Sequence, residues 1–109
     1  MSIDTMAIAV DWLDAYRAGD LACILEFFAD DAIVECGCGD VKTIADREGL
    51  RAYWVQRLKD YPASELDDLR PAATGTSISY LTGHGVVDAI LEFDGIGKIT
   101  FLRCRQLAR

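Results

Sequence analysis

Apolar residues recur at three- and four-residue steps over residues 1–17. Ile8, Ala9, Trp12, Leu13 and Tyr16 share one face, while Asp11, Asp14 and Arg17 fall elsewhere. The spacing predicts a helix, with Ser2 or Asp4 as its cap and Gly19 as its left-handed stop. Asp20 then caps a second, shorter helix over residues 21–28, whose apolar face is Leu21, Ile24, Leu25 and Phe28. The two helices form a hairpin with almost no linker.

Residues 32–36 have a strand pattern. A turn at Gly37, Gly39 and Asp40 leads to a returning strand over residues 41–44. Helical spacing resumes over residues 48–61, capped by Asp46 and stopped by Pro62. Leu50, Tyr53, Trp54, Leu58 and Tyr61 form its apolar face, and Arg51, Gln56, Lys59 and Asp60 are expected in water. After Pro62 the period becomes alternating. Residues 65–71 form a first long strand, interrupted at Asp67-Asp68 by a predicted bulge or bend. Residues 77–81 and 86–93 follow, separated by turns at Thr74-Gly75 and Gly83-His84-Gly85. Val87, Ala89, Leu91 and Phe93 share one face of the clearest strand. Asp94-Gly95 is a hairpin signal, and Ile99–Gln106 closes the sheet. The expectation is one α+β domain over residues 1–109, with helices on one face of a bent sheet ending in a four-strand antiparallel meander.

Composition narrows the possible partners. The 109 residues have room for one core and one pocket. The net charge of −7 is uneven: residues 1–54 hold 11 acidic and 4 basic side chains, and residues 55–109 hold 7 of each. An acidic surface repels phosphate backbones and anionic lipid, so neither nucleic acid nor membrane is expected as a partner. Arg103, Arg105 and Arg109 read as a solvated last strand and tail. Apolar runs are too short to span a bilayer. Residues 1–10 hold Asp4 and no basic residue, unlike a secretory signal, which makes the cytoplasm the expected location. The four cysteines, Cys23, Cys36, Cys38 and Cys104, are expected as reduced thiols.

Several stretches resemble the nuclear-transport-factor-2-like superfamily, which includes the SnoaL-like cyclases and ketosteroid isomerase. Trp12-x3-Tyr16-x2-Gly19-Asp20-x4-Leu25 resembles its opening helical hairpin. Phe28-Ala29-Asp30-Asp31-Ala32 resembles its helix-to-strand junction, and Arg47-Glu48-Gly49-Leu50-x2-Tyr53-Trp54 its third-helix entry. Asp46 stands where glycine is common in that entry. Phe93-Asp94-Gly95-x2-Lys98-Ile99 resembles the last hairpin. The resemblance covers nearly the whole chain and is specific for fold rather than activity. It implies three N-terminal helices on a strongly curved, mostly antiparallel sheet, forming a cone with an internal pocket. It also implies a homodimer through the sheet's outer face.

The candidate chemistry has two readings throughout. Trp12, Tyr16, Tyr53, Trp54 and Tyr80 either line a pocket for a small apolar or aromatic molecule or fill the core themselves. Asp88 is an acid in mid-strand. Facing inward it would suit general acid–base work, and facing outward it would meet solvent or a dimer interface. Arg103 on the neighbouring strand is its candidate ionic partner and a candidate ligand contact. In ketosteroid isomerase an Asp base works beside an oxyanion hole of a tyrosine and a protonated Asp. By that resemblance Tyr16 fits the hydroxyl donor, with Asp88 or Glu35 as base. Glu35 alternates with Val34 and Cys36 and reads equally well as the exposed side of its strand. His84, the only histidine, lies between glycines in a turn. Cys36-Gly37-Cys38 lacks the second ligand pair of a structural zinc site. The expected function is therefore a small-molecule-binding domain without metal or cofactor, either a proton-transfer isomerase, cyclase or dehydratase or a non-catalytic binder. The other reading is a dimerisation or interaction module with a self-filled interior.

Overall fold

The computed structural model describes residues 4–37 and 42–106. The expected Ser2 cap, the Gly39–Asp40 turn, Cys38, Val41 and Arg109 lie outside the described residues.

Three aspartates open the three helices. Asp4 accepts from the Ala7 amide at the start of α1 (Thr5–Ala18), and Asp20 from that of Cys23 at the start of α2 (Leu21–Glu26). Asp46 does the same for Gly49 at the start of α3 (Arg47–Asp60). Gly19 ends α1 at φ 70°, the left-handed conformation that its position predicts. The strands are β1 (Phe28–Gly37), β2 (Lys42–Ile44), β3 (Ala63–Ala72), β4 (Gly75–Thr82), β5 (Gly85–Phe93) and β6 (Ile99–Gln106). They form one open sheet in the order β2-β1-β6-β5-β4-β3.

The meander β3-β4-β5-β6 is antiparallel as its turn signals predict, and β1 joins it parallel to β6. Two boundaries differ from the sequence expectation. The second helix ends at Glu26, and Phe28 already belongs to β1, because the Ile99 amide donates to the Phe27 carbonyl at 2.8 Å. Sheet pairing therefore takes residues that helical spacing alone would have kept. The pairing of β3 with β4 shifts register on both sides of Leu66, close to the expected break at Asp67-Asp68.

Gly75 meets a steric demand. A Cβ there would stand 1.9 Å from the Leu91 carbonyl oxygen, so the β4–β5 approach admits only glycine.

The core lies between the helices and one sheet face. Ala9, Trp12, Leu13 and Tyr16 come from α1, Ile24 from α2, and Leu50 and Trp54 from α3. They pack with Val34, Ile78, Tyr80, Val87, Ala89, Leu91, Leu102 and Cys104. Alternation in β5 places Val87, Ala89 and Leu91 in this core and turns Asp88 to the other face.

The third helix departs from its expected pattern. Leu50 and Trp54 are buried as anticipated, but the third buried position is Arg57, 3 % exposed. Leu58 and Tyr53 are only partly buried. The spacing 50, 54, 57, 61 is itself a helical face, so Arg57 occupies the face whose other members are apolar.

Candidate functional site

Four rings fill the space between α1, α3 and β4. Trp12 and Tyr16 are one turn apart on α1, so both point the same way. Trp54 reaches in from α3 and Tyr80 from the middle of β4. Ring centroids lie 5.7 Å apart for Trp12–Tyr16, 5.8 Å for Trp12–Trp54, 5.9 Å for Trp12–Tyr80 and 5.0 Å for Tyr16–Trp54. All are edge-to-face, the arrangement that ring quadrupoles favour. Each ring is essentially inaccessible to solvent.

Arg57 inserts a charge beside these rings. Its Nε donates to the Tyr16 hydroxyl at 3.1 Å, and its Nη2 to the Tyr80 hydroxyl at 3.4 Å. The guanidinium carbon lies 4.6 Å from the Tyr61 ring centroid, in cation–π contact. The Tyr16 hydroxyl in turn donates a hydrogen bond to the Tyr61 carbonyl. Tyr53 brings its hydroxyl within 3.6 Å of the buried Cys104 sulfur. Three helical residues and two strand residues thus converge on one polar island in an aromatic core.

The protonation states follow from the surroundings. Burial pushes the Tyr16 phenol up to about 12, against the opposing pull of Arg57. Burial raises Tyr80 well above the ordinary tyrosine range, reinforced by Tyr16 and opposed by Arg57. For Arg57 burial alone would weaken the charge, but Tyr80, Tyr53, Tyr16 and Cys104 outweigh it, and the net shift is upward. Near neutral pH the site therefore holds a guanidinium and two intact phenols. Trp12 and Trp54 add two buried indole N–H groups that have no hydrogen-bond partner among the described residues.

The proposed acids stand elsewhere. Glu35 pairs in register with Arg103, whose Nη2 lies 3.2 Å from the Glu35 Oε1. Both belong to the sheet face away from the helices, since the neighbouring positions Val34, Leu102 and Cys104 are the buried ones. Arg103 thus meets Glu35 rather than Asp88, and it lies over Phe101 rather than the inner rings. Asp88 is on the same outer face, half-buried, with Ser77 Oγ 3.5 Å from its carboxylate and Arg105 opposite it in register. The sheet separates Asp88 and Glu35 from Tyr16. Strand alternation was the signal for this: the more apolar face of residues 86–93 excludes Asp88.

His84 is exposed, and it is tied down. Its Nε2 lies 3.0 Å from the Asp60 carbonyl, and its ring centroid 4.4 Å from that of Tyr61. The β4–β5 turn is thereby fastened to the end of α3, directly beside Arg57's aromatic partner. Among the described residues no group of three His, Cys, Asp or Glu side chains is placed to hold a metal. No helix among the described residues is long and apolar enough to cross a membrane.

Arg57 is the residue that sequence reasoning passed over. Its position on the 50-54-57-61 face was the available signal.

This arrangement of helical hairpin, third helix and meander is shared, as a fold, with a solved SnoaL-like protein. A SnoaL-like protein of unknown function from Burkholderia thailandensis superimposes with a TM-score of 0.82, covering 95% of this chain and 94% of its own, at 18% identity. The likeness at that identity is one of fold. Among solved structures 320 chains match, and so widely used a fold selects no activity by itself. No family model matches the sequence, and no curated protein matches it either.

Proposed function

We propose that the domain binds a small apolar or aromatic molecule in a pocket between its helices and the inner sheet face. The observation that carries this reading is Arg57, a charge buried among Tyr16, Tyr80 and Tyr61. A buried charge costs several kcal/mol of desolvation in general, and here polar and aromatic groups from three elements converge on it. Aromatic walls with a few convergent polar groups are the usual make-up of a small-molecule site. Trp12, Trp54, Tyr53 and Tyr80 are the walls of this site, and the Tyr16 hydroxyl, whose proton is engaged by the Tyr61 carbonyl, stands at its polar centre.

Among the described residues Tyr16 meets the Tyr61 carbonyl, Arg57 and Tyr80 as polar partners. None of these is a carboxylate base. The reading is accordingly binding first, with cofactor-free proton transfer as its catalytic extension.

Both tryptophans of the chain lie in the cluster, so intrinsic fluorescence reports on it directly. Titration with a panel of aromatic compounds is expected to quench or shift the emission saturably. Emission indifferent to the whole panel would overturn the binding reading.

A second reading is favoured by a different observation. The four rings pack edge-to-face with almost no exposure, as a self-filled interior would. In that case the working surface is the outer sheet face. There Val86, Ile90 and Phe101 are half-exposed beside the Glu35–Arg103 pair, and a second copy of the chain would pack on them. Light scattering at micromolar concentration tests this, and a monomeric mass would remove it.

A further inference from the structure

We propose that the cavity between the helical hairpin and the β5–β6 turn binds a free apolar α-amino acid as its zwitterion, with Glu26 and Lys98 as the charged partners. This site is separate from the aromatic interior, and the inference does not rest on the binding reading above.

The cavity has a volume of about 280 Å³ and is bounded by α1, α2 and the turn that joins β5 to β6. Its apolar walls are Ile8 from α1, Phe27 at the end of α2 and Ile96 on the turn, whose side chain is 80 % exposed. The turn is pinned from within. The Asp94 carboxylate accepts from the amides of Ile96 at 3.0 Å and Lys98 at 2.9 Å, and the Gly97 amide donates to the Asp94 carbonyl at 3.1 Å. Gly97 adopts φ 89°, which glycine alone takes without strain. The rim is therefore preorganised, and a ligand pays little to order it.

Two opposite charges stand on this cavity. Lys98 Nζ donates to the Glu26 carbonyl, which holds the ammonium beside the residue whose carboxylate also lines the site. Among the described residues neither side chain belongs to an ion pair. An ammonium has three donors, so two remain after the Glu26 carbonyl is served, and the Glu26 carboxylate offers only acceptors. An α-amino acid carries the complementary carboxylate and ammonium on one carbon. With both engaged, its side chain falls against Ile8, Phe27 and Ile96.

The charges exclude the simpler classes. An anion would meet the Glu26 carboxylate and a molecule of net charge −7. A cation would meet the Lys98 ammonium, and a neutral apolar molecule would use neither group. A zwitterion uses both and is not repelled at long range. The volume lies just below the usual range for drug-sized ligands, about 300–1,000 Å³, which suits a molecule the size of leucine.

The test titrates the full chain with leucine, N-acetylleucine and leucinamide, followed at the backbone amides and indoles by NMR. Leucine is expected to bind about three- to fivefold more tightly than either derivative, since each lacks one charge and an exposed pair contributes modestly. Shifts should centre on Cys23, Phe27 and Gly97, which line the cavity, and leave the indoles of Trp12 and Trp54 unmoved. Glu26→Gln should erase the preference over N-acetylleucine and keep that over leucinamide. Lys98→Met should do the reverse, whereas simple damage to the cavity would weaken all three ligands alike. If Lys98→Met does not fold, Glu26→Gln, at an exposed side chain, still decides. Equal affinity for the three ligands, no binding of leucine, shifts centred elsewhere, or preferences that both variants leave intact would overturn the assignment.

Discussion

Arg57 Nε donates to the Tyr16 hydroxyl at 3.1 Å, joining α1 to α3 through a hydrogen bond in the middle of an aromatic core. The same hydroxyl donates to the Tyr61 carbonyl, so one phenol satisfies a guanidinium on one side and a helix terminus on the other. Removing it leaves a buried donor and a backbone acceptor short of a partner. Tyr16→Phe is therefore expected to cost about 1–3 kcal/mol of stability, read by urea unfolding. A loss below about 0.5 kcal/mol, the range of ordinary surface changes, would show that the bond is not formed in solution.

The same residue gives a pH dependence. Burial raises the Tyr16 phenol from 10.0 to about 12. The unfolded chain therefore releases this proton first as pH rises. Tyr16's contribution is constant below pH 10 and is lost as pH climbs from about 10 toward 12, at up to about 1.4 kcal/mol per pH unit. Tyr80, also raised, acts in the same direction. Unfolding curves across this window should fall less steeply for Tyr16→Phe than for the wild type. Identical slopes would remove Tyr16 as a source.

Trp12 touches Tyr16, Trp54 and Tyr80 at once and is wholly buried. Trp12→Ala should cost about 3–5 kcal/mol through the cavity it leaves. Trp12→Phe should cost clearly less, because the indole N–H forms no hydrogen bond among the described residues and only part of the volume is lost. Equal losses for the two variants would mean that the N–H has a partner.

Asp88 faces away from the aromatic cluster. Asp88→Asn is expected to leave the fluorescence response to the aromatic panel unchanged and to shift stability by less than about 0.5 kcal/mol. A loss of ligand response in a folded Asp88→Asn variant would return this carboxylate to the site.

Gly75 tests the packing of the meander. A Cβ at this position would overlap the Leu91 carbonyl, so Gly75→Ala should force the strands to shift at a cost of about 1–3 kcal/mol. Thermal unfolding measures it, and an unchanged midpoint would show that the strands are further apart there.

Much of the fold was legible in the chain because local rules act on neighbouring residues. Aspartates before apolar runs mark helix starts, Gly19 marks a stop, and alternation after Pro62 marks strands; each depends on residues within one or two turns. The same alternation contained the answer for Asp88, once the apolar face of β5 is taken as the inner one. The end of α2 was less legible, since a distant amide, that of Ile99, draws Phe27 and Phe28 into sheet pairing.

The sequence by itself determined the helical hairpin, the meander and the aromatic inventory, for these follow from periodicity and local capping. Only the tertiary structure decided what Arg57 does. Helical spacing assigns it a face but not a partner, and a charge is counted as solvated until something distant accepts it. Here its partners include Tyr16, 41 residues earlier in the chain, and Tyr80, 23 residues later. Burial between them turns an ordinary arginine into the charged centre of an aromatic core, because outside water a charge persists only where other groups have been brought to meet it.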